Sequence, residues 1–258
     1  MQYLNKNNYY HSAIWFDVML ILMASVAGSI DVMSYYKLGH VFTANMTGNT
    51  ILLGLSVGQG NVASSLHQLT ALAGFFAGAI LGAYIVQNTR KGWSHYITLS
   101  VSIESFIILI LVFIWFTGPD IQNHFVLFTS IALSALAMGI QSATIRYLNI
   151  PGVVTTFMTG TITSIGMNVI NGFKKGFKKK VKDSLPGFVV TRNLEERIRL
   201  QVVVFFAYGL TAVITGWLEF HDSSFLPLLP FTLIICVLII VIKRPENKHV
   251  TKPQYTEN

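Results

Sequence analysis

Residues 43–50 read Thr-Ala-Asn-Met-Thr-Gly-Asn-Thr, and 112 positions later residues 155–162 read Thr-Thr-Phe-Met-Thr-Gly-Thr-Ile. Two flanking matches keep the same order. Upstream, Ala27-Gly28 lines up with Met138-Gly139 after a one-residue gap, and downstream Phe75-Phe76-Ala77 resembles Phe205-Phe206-Ala207. Three matches in one order define an internal repeat, with halves at about 13–117 and 124–243. Each half reads as a long helix, a Met-Thr-Gly segment and two further long helices.

The surroundings of the two motifs place that repeat in a membrane. Six stretches are long and apolar enough for the roughly 20 residues of a transmembrane helix: Ala13–Tyr36, Leu66–Gln87, Ile97–Phe116, Phe125–Ile145, Leu200–Phe220 and Phe225–Ile242. Trp15, Tyr35, Tyr36, Tyr84, Trp93, Trp115 and Trp217 lie near their ends, where amphipathic rings favour the headgroup layer. The motifs themselves sit in two shorter, more polar segments, 40–58 and 153–170, interrupted by Gly48 and Gly160. These read as poor spans, or as half-helices that enter and leave on one side. Ser25-Val26-Ala27 has the look of a signal cleavage site. Asp17 within the apolar stretch and the continuation of the helix into the motif favour an uncleaved first span.

Composition agrees. Of 258 residues, 52% are hydrophobic and 11% charged, with a net charge of +7, against roughly 25% charged in an ordinary soluble domain. That excludes a large water-soluble fold, and with it the basic soluble face that nucleic-acid binding needs. The single cysteine, Cys236, reads as buried among aliphatics. It excludes an internal disulfide framework and a cysteine zinc cage, and no histidine pair has metal-site spacing. No cofactor is expected.

Basic residues set the orientation. Nine of the eighteen lie between Asn171 and Arg199: Lys174, Lys175, Lys178, Lys179, Lys180, Lys182, Arg192, Arg197 and Arg199. This connection and the tail 244–258 are expected to be cytoplasmic, as is the N-terminus. If all eight segments cross, Lys37, Arg90, Lys91 and Arg146 fall outside. If the two Met-Thr-Gly segments re-enter, only Lys37 does. The expectation is an all-α, polytopic helical membrane protein forming one integral membrane domain, with six transmembrane helices plus two short re-entrant or broken segments. Three crossings per half is an odd number, so the halves form an inverted repeat. Paired, Gly-interrupted short segments in such a repeat point to a binding site near the midplane.

Thr43, Asn45, Thr47, Asn49 and Thr50 are too polar to face lipid. A half-helix beginning near Asn45 would aim free N–H groups inward and favour an anionic or dipolar ligand. Equally, these side chains can cap a break and join helices. The second copy keeps Thr155 and Thr159 but has Phe157 for Asn45 and Thr161 for Asn49, so the polar character is weighted to the first half. Among ionisable groups, charges at membrane depth are costly and mark function by default. Asp31 and Glu104 read as proton- or cation-binding carboxylates, or as buried pairs with Lys37 and Arg146. Gly74, Gly78 and Gly82 form one small-residue ridge, and Ala135, Gly139 and Ala143 another, suited to close helix contact within one chain or between copies. A homo-oligomer is one outcome of such ridges. The lysine cluster, with Phe173 and Phe177 four residues apart, suits an anionic leaflet.

The run Gly39-His40-Val41-Phe42-Thr43-Ala44-Asn45-Met46-Thr47-Gly48-Asn49, preceded by Asp31, resembles the hallmark of the YoaK-like family of bacterial integral membrane proteins. Met138-Gly139-Ile140-Gln141-Ser142-Ala143, Arg146 and residues 155–160 resemble its second signature, which brings Gln141 into the candidate set. Ser142 departs from the amide expected beside Gln141. The resemblance covers about residues 14–242 and implies a polytopic membrane protein of no established substrate. The expected function is a small-solute transporter, secondary and with proton coupling as one route, whose site lies between the two Met-Thr-Gly segments. A passive channel on the same repeat, and a scaffold or lipid-binding protein using the lysine cluster, are the alternatives. An enzyme is not expected, since His-Glu-x-x-His and Gly-x-Ser-x-Gly are both absent, and no Walker motif supplies an ATP motor.

Overall fold

A computed structural model describes residues 6–87, 95–117, 123–147, 156, 158–176, 180–185, 188–221 and 226–243. The described elements are α1 (Lys6–Lys37), α2 (Met46–Gly58), α3 (Val62–Gln87), α4 (His95–Thr117), α5 (His124–Tyr147), α6 (Met158–Lys175), a hairpin of β1 (Lys180–Leu185) and β2 (Phe188–Asn193), then α7 (Leu194–His221) and α8 (Leu228–Lys243). Among the described residues the chain is therefore helical apart from one small antiparallel ladder, in which Lys180 faces Asn193 and Leu185 faces Phe188. The basic connection 171–199 is not the plain loop expected of it: it holds the end of α6, the hairpin and the start of α7.

Among the described residues, five helices are long and apolar enough to cross a membrane: residues Ile14–Lys37 of α1, and α3, α4, α5 and α7. The sixth expected span is shorter than its apolar run. Pro227 precedes α8 and Pro230 lies in its first turn, where a missing N–H costs no helical bond. The 16 residues of α8 rise about 24 Å, against a hydrocarbon core of about 30 Å. α2 is shorter still, with 13 residues and a rise of about 20 Å.

The breaks in the two Met-Thr-Gly segments do not fall at Gly48 and Gly160. Both glycines lie inside the first turns of continuous helices, α2 and α6. For the first motif the break is upstream, where Gly39 (φ +75°) and His40 (φ +59°) turn the chain out of α1. Glycine pays no steric penalty in that left-handed region and histidine a modest one. Asn45 then caps α2, its side-chain oxygen accepting the Gly48 N–H at 3.3 Å. Gly48 itself is needed for close approach, since a Cβ there would meet the Phe42 ring at 2.7 Å.

Packing directions follow from the contacts. Gly74, Gly78 and Gly82 of α3 lie against Ala132, Leu136 and Ile140 of α5 in turn, and Gly139 abuts the Phe75 carbonyl. The two small-residue ridges therefore meet each other within one chain, and α3 and α5 run parallel. α1 and α7 are parallel too. Gly28 touches the Tyr208 carbonyl, Ser29 accepts a hydrogen bond from Thr215, and Lys37 pairs with Glu219 at 2.6 Å. By contrast α1 and α5 are antiparallel: Gln141 donates to the Met23 carbonyl, whereas Thr43, bonded to Ser34, is reached by Ser134. Finally, α3 starts at the end of the bundle where α1 stops, because Gly39 sits under the His67 ring and Gln68 donates to the His40 carbonyl.

The largest cluster of buried side chains, including Met19, Leu20, Met23, Val101, Ile108, Met138, Val204 and Ile234, is drawn from α1, α4, α5, α7 and α8. Outward-facing positions carry Phe76, Phe113, Phe125, Phe206 and Phe220, all exposed, as expected of a surface solvated by lipid. Cys236 belongs to that surface: it is exposed on α8 rather than buried.

Candidate functional site

Asp31 lies in α1, six residues before its last residue, and is 2% exposed. One carboxylate oxygen accepts the backbone N–H groups of Thr43 (2.9 Å), Ala44 (2.7 Å) and Asn45 (3.3 Å). The other accepts the Tyr208 hydroxyl of α7 at 2.7 Å. Lys37, the partner weighed from sequence, is paired with Glu219 instead. Asp31 thus ties the chain just before α2 to a depth about 9 Å inside the end of α1, and satisfies three amides that would otherwise be buried without acceptors.

The rest of the first motif completes that anchor. Asn49 clamps Phe42 from both sides of its peptide, accepting its N–H at 2.8 Å and donating to its carbonyl. Thr43 is fully buried in a hydroxyl chain between Ser34 and Ser134. Asn45 serves as the N-cap. In the second half, Ser142 and Thr156 share a hydrogen bond of 2.5 Å. Ser142 is five residues from the end of α5, so this contact ties the start of α6 about 8 Å inside α5. Thr159 is exposed on α6, Gly160 is half-buried beside it, and Thr155 falls outside the described residues.

A cavity of about 610 Å³ opens between the two motifs. Its floor is the stretch Ala44–Thr47 at the start of α2, with Thr156 beside it. Phe75, Ala79, Ala83 and Val86 form one wall, and Ser142 and Ala143 of α5 another. Gln87, Arg146 and Tyr147 stand where α3 and α5 end. From Phe75 to Gln87 the wall climbs about 18 Å along α3. The first two amides of α2, those of Met46 and Thr47, have no acceptor within the helix.

Of the residues expected at a site, Asn45 and Thr47 line this cavity; Asp31, Thr43, Asn49, Glu104 and Gln141 do not. The first three hold the floor in place, and Gln141 fixes α5 to α1 through the Met23 carbonyl at 2.9 Å. Glu104 stands apart. It is completely buried on α4, and among the described residues neither of its oxygens has a hydrogen-bond partner; Arg146 does not reach it. Tyr208 is the residue that sequence reasoning passed over. Its one signal is position, directly after the repeated Phe205-Phe206-Ala207. No group of three or more His, Cys, Asp or Glu able to hold a metal occurs among the described residues.

A family model described as "Protein of unknown function (DUF1275)" matches residues 19–241. The chain belongs to that family. It is also 32% identical over 229 residues to "UPF0700 transmembrane protein YoaK" of Bacillus subtilis (strain 168), covering 88% of this chain and 95% of that protein. No solved structure matches. Membership of this membrane-protein family and the five long apolar helices agree: the chain is a membrane protein with several transmembrane helices.

Proposed function

We propose that this family member is a secondary transporter of small solutes. It has six crossings, two re-entrant Met-Thr-Gly segments and halves of opposite orientation, and its substrate site is the cavity between the motifs. The observation that carries the reading is that cavity. It lies between the two motifs, reaches the ends of α3 and α5, and is floored by the start of α2. Irregular backbone at membrane depth is tolerated where protein buries it or where it lines an aqueous cavity, and substrate sites at broken segments are a recurrent transporter arrangement.

The repeat is supported by the pairing of equivalent helices. α1 lies on α7 as α5 lies on α3, and α1 on α8 as α5 on α4. The antiparallel course of α1 and α5 fits an odd number of crossings per half. In this orientation the cavity opens to the cytoplasm. The opposite end of α1 and α7 is closed by Lys37–Glu219 and by Tyr36 packed edge-on against Phe220. A cavity open on one side and pinned on the other suits alternating access better than a continuous pore.

Asp31 is committed to holding the α2 floor, so Glu104, engaged by no donor among the described residues, is the carboxyl assigned to proton coupling. The test is reconstitution in liposomes with a solute screen, with and without a proton gradient. Gradient-driven uptake that is lost in Glu104→Gln, at unchanged thermal stability, supports coupled transport. Uptake indifferent to both gradient and substitution would overturn the coupling and favour a passive channel.

A further inference from the structure

The cavity carries a charge signature that narrows its ligand. Arg146, in the last turn of α5, is the one charged residue among the described residues lining it. Both membrane-depth carboxyls, Asp31 and Glu104, lie outside its wall. Among the described residues Arg146 makes no ion pair. Its exposed guanidinium presents a fork that fits carboxylate or phosphate oxygens. Below it the wall is apolar for four positions, Phe75, Ala79, Ala83 and Val86, and the floor presents the side chains of Asn45 and Thr47. A cation would meet like charge at the mouth and no carboxylate beneath. A small inorganic anion would leave the apolar wall unused.

We infer that the cavity binds an organic anion with a short apolar body. The carboxylate is held by Arg146 at the cytoplasmic ends of α3 and α5, and the body lies along Phe75, Ala79 and Ala83 toward α2. The assignment rests on the transporter reading for its biological meaning, but it is a statement about binding. A pocket of this size is within the range that encloses small ligands, and a hydrophobic wall with one directional charged group supplies both affinity and orientation.

The test uses purified full-length protein in detergent with three matched probes: hexanoate, hexylamine and hexanol. Binding is followed calorimetrically against empty micelles. Hexanoate is expected to bind at least tenfold more tightly than hexanol, and hexylamine not measurably. Arg146→Gln should bring hexanoate down to the hexanol level, Arg146→Lys should keep part of the preference, and Ala83→Phe should weaken hexanoate and hexanol together by filling the wall. Equal binding of the three probes by the wild type would overturn the assignment, and that comparison stands even if Arg146→Gln does not fold. Retention of full hexanoate affinity by a folded Arg146→Gln protein would overturn it as well. Hexanoate binding without uptake of any solute in liposomes supports the anion site and removes the transport reading. Uptake of cationic or neutral solutes by a protein that does not bind hexanoate removes the anion site and leaves transport standing.

Discussion

Asp31 and Tyr208 are 177 residues apart in the chain, yet their oxygens are 2.7 Å apart. The bond links a helix of the first half to one of the second, at the depth where Asp31 also holds the amides of residues 43–45. Interhelical hydrogen bonds in membrane proteins average about 0.6 kcal/mol, with a maximum near 1.7. A carboxyl group that gathers four donors belongs at the upper end of that range. Tyr208→Phe is therefore expected to lower stability by about 1–2 kcal/mol. Asp31→Asn should lower it further, because the amide is a weaker acceptor for three backbone donors at once. Unfolding in graded denaturing detergent measures both. The two effects should be non-additive, since the residues are in direct contact. A Tyr208→Phe protein as stable as wild type, or a purely additive double variant, would show that the bond contributes nothing.

At the scale of elements, the α3–α5 contact depends on glycine at particular positions. A Cβ on Gly78 would lie 2.1 Å from the Leu136 carbonyl oxygen, and one on Gly139 would lie 2.2 Å from that of Phe75. Both clashes are with helical backbone, which cannot rotate away. Gly54 in α2 and Gly209 in α7 have nothing within 4 Å. Gly78→Ala and Gly139→Ala are expected to cost about 1–3 kcal/mol through overpacking, whereas Gly54→Ala and Gly209→Ala should be neutral or stabilising by up to about 1 kcal/mol through helix propensity. The same unfolding assay separates the pairs; four similar values would mean that the helices do not approach as closely as these distances require. These ridges were legible in the sequence because small residues spaced four apart mark one helix face. Their mutual pairing was not, because spacing names a face and never its partner. The start of α2 at Asn45 was legible from the Asn-Met-Thr-Gly run, while the Asp31 anchor was hidden because its acceptor and donors are 12 to 14 residues apart across a turn. The β1–β2 hairpin did leave a signal, since Pro186-Gly187 stands in sequence between the two strands. The lysines around it drew the reading toward a charged loop. The start of α8 at Leu228 is hidden for the opposite reason: hydropathy counts apolar residues without asking where proline lets the helix begin.

At the scale of the molecule, the decisive question is which side of the membrane each turn occupies. Gly39 and His40, at the end of α1, touch His67 and Gln68, in the second turn of α3. The segment between them therefore returns to the end of the bundle from which it set out. In the second half, α6 starts against Ser142 of α5 and is joined near its other end to α7, Asn168 donating to Gln201 at 3.1 Å. Gln201 is in the second turn of α7, a contact that fits the re-entrant course proposed for that segment. Because α1 and α5 are antiparallel, the two ends are opposite ones. In a Cys236→Ser background, a cysteine at Ser64 is then expected to react with a membrane-impermeant maleimide added outside intact cells, and a cysteine at Asn171 only after the membrane is opened. Removing Cys236, the single cysteine of the sequence, leaves each introduced cysteine as the one thiol that can be labelled. If every helix including α2 and α6 crossed, Ser64 and Asn171 would lie on the same side and label together. The halves would then share one orientation, and α1 and α5 would have to run parallel. Gln141 at Met23 and Ser134 at the residue bonded to Ser34 give α1 and α5 an antiparallel course, which supports the proposed opposite-sided labelling. Opposite-sided labelling would place the mouth of the cavity, at Gln87 and Arg146, on the side of Asn171. There the lysine-rich stretch from Lys174 to Lys182 would share the cytoplasmic face with it.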